Sequence, residues 1–236
     1  LEPSYYGFEE KDMDRKIFLS GYLGFDFATI REIIAKLKNI YSGTFASEYK
    51  HIQSSEEYLW LKDRIENRTE MNLTLKGKRT ILERLISSEI FEKFLDKKYR
   101  GSKRFGLDGS ESTIPALEQI LKRSSDHGIQ DFSFACAHRG RLNILANIIK
   151  KPQVQIFSEF IHGGENALSN QGSGDVKYHL GASSNRSFDG NIIHVSMAAN
   201  PSHLEAVNPI VAGKIRAKQT IINDHSNDLV SGLLIH

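Results

Sequence analysis

Hydrophobic residues recur every three or four positions along the first hundred residues, which is the spacing of amphipathic helices. The charges between them are mixed in sign and spaced three or four apart, as is typical of solvated helix faces. The pattern predicts one helix over Thr29 to Tyr41, a short strand over Gly43 to Ile52, a helix that starts near Ser54, and two further helices over Thr74 to Leu85 and Ser88 to Tyr99.

Beyond Gly101 the pattern changes to short apolar strands separated by helices. Pro115 fits the first turn of a helix, and a bend is expected at Pro209 inside a later one. The predicted elements are a helix through Leu121, a strand over Asp131 to Ala137, a helix near Leu142 to Lys150, a strand over Ile192 to Ala198, a helix from His203 to about Lys218 and a strand over Leu229 to Ile235. This alternation predicts an α/β fold with a parallel sheet over residues 101–236, preceded by a mainly helical region over residues 1–100.

Composition places the chain among folded globular proteins, because 39% of its 236 residues are hydrophobic and 25% are charged. The single cysteine, Cys136, excludes a disulfide scaffold and lies in an apolar run typical of a buried side chain. The net charge of +2 comes without a basic run, which argues against a nucleic-acid-binding protein. No apolar run reaches the roughly 18 residues that span a bilayer, so no membrane segment is predicted.

Two segments that follow predicted strands carry candidate chemistry, because ligands of such sheets bind at the carboxyl ends of strands. In the first segment, His138, Arg139 and Arg141 open a helix whose free N–H groups would add to a site for an anion. Ion pairs with surface acids would explain the same residues. In the second segment, Ser202 follows the strand, although Ser202 with Glu205 also matches the sequence of a helix-capping box.

A stretch rich in Gly, Ser and Asn lies between these segments, from about His162 to Asn191, and predicts either a binding loop or a flexible surface loop. Its string from Gly172 to Gly181 lacks the spacing of a P-loop, and His179 adds a titratable donor. Eight of the nine histidines lie between His127 and His236. None of them has zinc-motif spacing, so no metal site is predicted within the chain.

A family resemblance emerges from four strings in fixed order: Arg104 to Gly109, His138 to Asn143, Gly172 to Gly181 and Ala199 to Ala206. Together they resemble the thiamine diphosphate-dependent decarboxylating component of the 2-oxoglutarate dehydrogenase complex. The resemblance is strongest from Arg104 to Gln219 and looser around the helix that contains Trp60. It implies that residues 101–236 are the first part of a thiamine diphosphate-binding α/β domain.

The resemblance also implies roles for individual residues. It makes His138 and His179 catalytic, with His179 contacting the substrate as well. Arg139 is expected to contact the cofactor or the 2-oxo acid, and Ser183 to lie near the substrate. The positions of the last string that contact thiamine diphosphate are Ser202 and Leu204.

The reaction implied by the resemblance is the oxidative decarboxylation of 2-oxoglutarate in the tricarboxylic acid cycle. The succinyl group passes to the lipoyl group of the partner dihydrolipoamide succinyltransferase, and dihydrolipoamide dehydrogenase acts in the same complex. Relatives are homodimers. The Mg²⁺ that accompanies the cofactor is held by a Gly-Asp string and an Asn that the resemblance places beyond His236, as it does the glutamate that activates the cofactor. The chain is therefore expected to be an inactive fragment of a longer protein.

Other interpretations of the same residues stay open. A paralogue that acts on 2-oxoadipate, or an enzyme that decarboxylates outside the complex, would carry the same histidines. A non-catalytic binding or assembly module, which uses the helical first hundred residues to hold a partner, belongs to a different class. The expected compartment is the cytoplasm for a bacterial protein and the mitochondrial matrix for a eukaryotic one.

Overall fold

The computed structural model describes residues 1–44, 46–67, 73–161 and 179–235. The chain forms two compact units, Leu1–Asn72 and Leu73–His236. The last two predicted N-terminal helices, over Thr74 to Leu85 and Ser88 to Tyr99, therefore belong to the second unit. The predicted assignment of residues 101–236 to a cofactor-binding domain stays a prediction.

The described part of the first unit contains three short 3-10 helices (Pro3–Tyr6, Glu10–Asp12 and Tyr22–Gly24), a small hairpin and two α-helices. Strands β1 (Lys16–Phe18) and β2 (Phe27–Thr29) pair antiparallel, and helices α1 (Ile30–Tyr41) and α2 (Ser55–Glu66) follow. The Thr29 hydroxyl accepts a hydrogen bond from the backbone N–H of Glu32, and the Glu32 carboxylate accepts one from the Thr29 N–H, so a capping box begins α1. This confirms the helix predicted over Thr29 to Tyr41.

The strand predicted over residues 43–52 is wrong for the part of that segment that the structure describes. Tyr49 is buried there, and its hydroxyl lies 2.7 Å from the hydroxyl of Tyr41. Side-chain packing therefore holds the segment in place of a partner strand. The described residues of 43–52 have no ladder hydrogen bonds, without which an extended segment is not a stable strand.

The second unit alternates helices and strands. Its elements are α3 (Leu75–Lys98), α4 (Thr113–Asp126), β3 (Asp131–Cys136), α5 (Arg141–Asn147), α6 (Gln153–Ile161), β4 (Ala182–Phe188), β5 (Asn191–Met197), α7 (Asn208–Ile221) and β6 (Val230–Ile235). The strands form one sheet in the order β4-β5-β3-β6. β3 pairs parallel with β5 and β6, whereas β4 pairs antiparallel with β5. The predicted α/β fold is confirmed, and its sheet is mixed rather than wholly parallel.

Alternate residues of the strands face two different layers. Phe132 and Phe134 of β3, with Val195 of β5, enter a large apolar core shared with helices α3 to α6. On the opposite face, Ala135 packs against Val211 of α7. Both faces of β3 are therefore covered by helices, which explains its nearly continuous burial.

Several elements differ from the prediction. The two helices predicted over residues 74–99 are one helix, α3, because Ser88 packs against Asn143 of α5 as a small buried residue and does not interrupt the helix. Helix α7 begins at Asn208, so Pro209 occupies its first turn and causes no bend. Helix α6 and strand β4 were not predicted.

Strand β4 forms part of the stretch that the sequence marked as a loop. Its residues alternate in exposure, so that Ser184 and Arg186 face the residues that follow helix α5 while Ser183 and Asn185 face outward. The outward side chains are polar because they are exposed to solvent. The inward side chains are polar because they bond to the backbone carbonyl oxygens of Ile149 and Ile148. Hydropathy therefore gave no sign of this edge strand. No helix among the described residues is long and apolar enough to cross a membrane.

Candidate functional site

Three chain segments meet at one edge of the sheet. β3 ends at Cys136 and β5 at Met197, and the carboxyl ends of parallel neighbours lie at the same edge. β4 runs antiparallel to β5, with Ala182 opposite Met197, so the residues just before β4 reach that edge too. The predicted site residues at positions 138–139, 179 and 202 all belong to these segments.

His179 and Ser202 are in direct contact. The His179 Nε2 lies 3.1 Å from the Ser202 Oγ, although 23 residues separate them in the chain. A backbone hydrogen bond of 3.1 Å from the Asn200 N–H to the His179 carbonyl oxygen joins the same two segments. The half-buried imidazole and the exposed hydroxyl thus form one polar pair at the strand ends.

His138 and Arg139 occupy the neighbouring strand end. The His138 ring packs against Phe105 with 4.4 Å between ring centroids, and the Arg139 Nη1 donates to the Gly106 carbonyl oxygen at 3.2 Å. Gly140 has a φ of +69°, and its N–H donates to the Phe105 carbonyl oxygen at 2.7 Å. The string that begins at Arg104 therefore packs directly on the string that begins at His138.

Arg141 does not have the role that the sequence suggested. It was expected to join Arg139 in holding an anion, but its side chain is fully buried. Its Nη1 donates to the Cys136 carbonyl oxygen at 2.7 Å, and its Nη2 donates to those of Leu180 at 2.7 Å and Ala198 at 2.6 Å. Burial lowers the pKa of this guanidinium to about 10. Arg141 therefore holds backbone rather than ligand.

The thiol of Cys136 lies beside this arginine, and its Sγ is 3.9 Å from the Arg139 carbonyl oxygen. Only 1% of the residue is exposed, within the apolar core shared with Phe134. Burial raises its pKa to about 11, although the nearby Arg141 acts in the opposite direction. A thiol so protonated is a packing group and not a nucleophile, as the sequence predicted.

The remaining predicted residues have different surroundings. Ser183 lies on the outward face of β4, opposite Ser196 of β5, close to the same edge. Leu204 lies in the turn before α7 with 64% of its surface exposed. The capping box expected at Ser202 and Glu205 is wrong, because α7 begins at Asn208 and the Ser202 hydroxyl is directed to His179.

Part of the third string, Gly172 to Gly181, lies outside the described residues. The structure does not describe positions 172–178 and describes only His179 to Gly181 of that string. His162 and His236 also lie outside the described residues. Within this part, a Cβ at Gly181 would lie 2.6 Å from the Met197 carbonyl oxygen. Glycine is therefore required where the His179 segment crosses the end of β5.

Asn200 is a site residue that the sequence did not single out. Only 6% of it is exposed, and its Nδ2 donates to the Pro201 carbonyl oxygen at 3.0 Å. Its Oδ1 is buried and accepts no hydrogen bond from the described residues. An acceptor left open beside the His179–Ser202 pair suits a ligand with an N–H or O–H donor. No group of three metal-ligating side chains occurs among the described residues.

The second unit belongs to the α/β class, and its imidazole, hydroxyl and guanidinium groups lie at adjacent strand ends, the edge at which such sheets bind ligands. No family model matches the chain. Across 229 residues the chain is 51% identical to the 2-oxoglutarate dehydrogenase E1 component of Brucella anthropi and 50% identical to those of Brucella canis and Brucella suis. Each match covers 97% of this chain but only 23% of the relative's length. The family resemblance drawn from the four strings is thereby confirmed.

Proposed function

We propose that the chain is the part of a 2-oxoglutarate dehydrogenase E1 component that carries the first substrate and cofactor residues. The observation that supports this most directly is the 3.1 Å contact between His179 and Ser202, at the sheet edge that also carries His138 and Arg139. These residues come from three of the four strings on which the resemblance rests. The whole protein's activity, substrate and partners follow as parts of the same proposal.

The side chains at this edge suit a dianionic 2-oxo acid. The exposed guanidinium of Arg139 can donate to a carboxylate or a diphosphate with paired hydrogen bonds. The imidazoles of His138 and His179 can donate to a second carboxylate, or to the carbonyl oxygen on which negative charge develops. The outward hydroxyl of Ser183 adds one more donor near the same edge.

The residues also fit thiamine diphosphate. Arg139, Ser202 and Leu204 are the residues of this chain that would hold it, and the open Asn200 Oδ1 offers an acceptor to a ligand donor. When bound, the cofactor supplies the electron sink that decarboxylation of a 2-oxo acid requires. The protein side chains bind, orient and donate protons. Mg²⁺ is assigned to residues of the parent protein outside this chain.

The partners belong to the parent protein as a whole. A lipoyl group on dihydrolipoamide succinyltransferase would accept the succinyl group, and dihydrolipoamide dehydrogenase would reoxidise that lipoyl group. The resemblance also predicts that the parent protein is a homodimer, and that it lies in the bacterial cytoplasm or the mitochondrial matrix.

The test is 2-oxo acid oxidation by the full-length parent protein with an artificial electron acceptor. Reactions with and without Mg²⁺ and thiamine diphosphate are compared for 2-oxoglutarate, 2-oxoadipate and pyruvate. Cofactor-dependent turnover that prefers 2-oxoglutarate is the expected result, and a preference for 2-oxoadipate would identify the paralogue instead. A folded protein that neither turns over any of the three nor binds the cofactor would be a binding or assembly module.

A further inference from the structure

One buried guanidinium joins all three segments of the candidate site. The carbonyl groups that accept from Arg141 belong to Cys136, two residues before His138, to Leu180, directly after His179, and to Ala198, four residues before Ser202. These three oxygens lie between 2.6 and 2.7 Å from the terminal nitrogens. A single side chain therefore contacts all three segments, in addition to the backbone hydrogen bonds that pair them.

A guanidinium is suited to this junction in a way that other cations are not. Its terminal nitrogens are held in one plane and present donors in fixed directions, so it can bond to three separate carbonyl oxygens at once. The ammonium of lysine carries its donors on one atom and reaches a smaller span. The segments are also closely packed, since a Cβ at the neighbouring Gly181 would lie 2.6 Å from the Met197 carbonyl oxygen. The backbone therefore has little room to shift toward a shorter side chain at position 141.

Arg186 provides a comparison within the same unit. Its side chain is also mostly buried and donates to a backbone carbonyl oxygen, that of Ile148. Its second terminal nitrogen forms an ion pair of 2.7 Å with Glu118. Arg141 has no carboxylate within ion-pair distance among the described residues, and all of its bonds go to backbone at the site. Its contacts are therefore specific to the segments that carry His138, His179 and Ser202.

We propose that Arg141 is a positioning residue, which fixes the His179–Ser202 pair relative to His138 and Arg139 by holding the backbone of the three segments. The proposal rests on the proposed function for its catalytic consequence, because the positioned groups are the ones assigned to cofactor and 2-oxo acid. The positioning itself is a property of the folded chain. A displacement of about 1 Å between reacting groups costs about 100-fold in rate.

The experiment uses the full-length parent protein with Arg141→Lys and Arg141→Ala, and with Arg186→Lys as the matched control. Folded protein is quantified first, so that kcat and KM refer to folded enzyme. Both Arg141 variants are expected to lose about 100-fold in kcat/KM, mostly in kcat, whereas Arg186→Lys stays within about threefold. Guanidinium chloride at millimolar concentration is expected to restore part of the activity of Arg141→Ala, and ammonium chloride is not.

Amide hydrogen exchange provides a readout that does not depend on activity. Arg141→Lys is expected to speed exchange in the peptides that contain residues 180–182 and 198–200, and Arg186→Lys is expected to leave them unchanged. If the wild-type protein shows no 2-oxo acid turnover but this exchange pattern appears, the proposed function fails while the positioning role stands. Wild-type exchange rates and kcat in folded Arg141→Lys would overturn the positioning role.

A second variant covers the case in which the Arg141 variants do not fold. Gly181→Ala leaves the guanidinium intact but forces the His179 segment away from the end of β5. It is expected to lower kcat and to speed exchange in residues 198–200. Unchanged kcat and amide exchange in Gly181→Ala would contradict the dependence of the site on how the three segments around Arg141 are held together.

Discussion

The imidazole of His179 is held at the sheet edge by contacts on both sides of the residue. Its Nε2 faces the Ser202 hydroxyl, and its backbone carbonyl oxygen accepts from Asn200. His127 differs in place and surroundings, since it follows α4 as an exposed residue before the amino end of β3. The two histidines therefore separate a role at the site from a general effect of losing an imidazole.

We predict that His179→Ala in the full-length parent protein lowers kcat/KM for 2-oxoglutarate by a factor of about 10² to 10⁴, as loss of a positioned proton donor does. His127→Ala is expected to leave kcat/KM within about twofold of the wild-type value. Steady-state kinetics of the two variants provide the measurement. Equal losses in both would contradict the assignment of His179.

Asp224 shows how one carboxylate fixes the start of a strand. Its Oδ1 accepts from the Asp228 N–H at 2.9 Å, and its Oδ2 accepts from the N–H groups of Leu229 and Val230 at 3.0 Å each. Burial favours the neutral acid, but these backbone donors favour the carboxylate more strongly, so the pKa of Asp224 lies below its ordinary value. Ionised Asp224 therefore stabilises the entry into β6.

We predict that Asp224→Asn destabilises the protein at neutral pH, because the amide turns donors toward backbone N–H groups. Since the folded-state pKa is lowered, the stabilisation is fully present above the unfolded-state pKa of about 3.9 and is lost as the pH falls through the folded-state pKa. Urea unfolding at pH 7 and pH 3 should show a large difference from wild type at pH 7 and a smaller one at pH 3. Asp228→Asn, at an exposed side chain, is the control. An equal difference at both pH values would count against this account.

At the scale of elements, two glycines differ in whether their position tolerates a side chain. Gly140, which directly precedes α5, has a φ of +69°, and a Cβ there would collide with the Leu107 side chain. Gly213 lies in the interior of α7, where a Cβ would meet nothing within 4 Å. A side chain at the first position is strained, whereas at the second it would only reduce the freedom of the unfolded chain.

We predict that Gly140→Ala lowers the free energy of unfolding by about 1–3 kcal/mol and that Gly213→Ala raises it by about 0.5–1 kcal/mol. The two variants carry the same added methyl group, so each serves as the control for the other. Denaturant titrations provide the measurement. A stabilising effect of Gly140→Ala would show that the Leu107 contact and the left-handed conformation are not required.

The elements themselves were predictable where one periodicity dominated. The apolar stripe that includes Ile30, Ile33 and Ile40 predicted α1 correctly. β4 was not predictable, because its inward residues Ser184 and Arg186 are polar and bond to backbone oxygens of another segment. Such a strand has no hydrophobic alternation to reveal it.

At the scale of the whole molecule, the chain spans 23% of the length of the relatives it matches. The resemblance implies that the residues that hold Mg²⁺ and activate the cofactor lie in other parts of the parent protein. A diphosphate bound by Arg139 and Ser202 alone would lack the charge of the metal ion, which contributes much of the binding energy at such sites.

We predict that the purified 236-residue chain binds thiamine diphosphate with Mg²⁺ far more weakly than the full-length parent protein and does not turn over 2-oxoglutarate. Isothermal titration calorimetry and the artificial-acceptor assay on both proteins provide the comparison. Turnover by the 236-residue chain would show that the site is complete within it.

The sequence by itself determined the α/β class, the strand ends at which the candidate site residues lie, and the family resemblance, because each depends on local periodicity or on strings of adjacent residues. It could not determine the role of Arg141, which looks in sequence like a second anion-binding arginine beside Arg139. Only the fold brings the carbonyl groups of Cys136, Leu180 and Ala198 around that side chain. Contacts between segments depend on strand order and register, which no local pattern specifies. For the same reason, only the tertiary structure shows that Ser202 pairs with His179 and does not cap a helix.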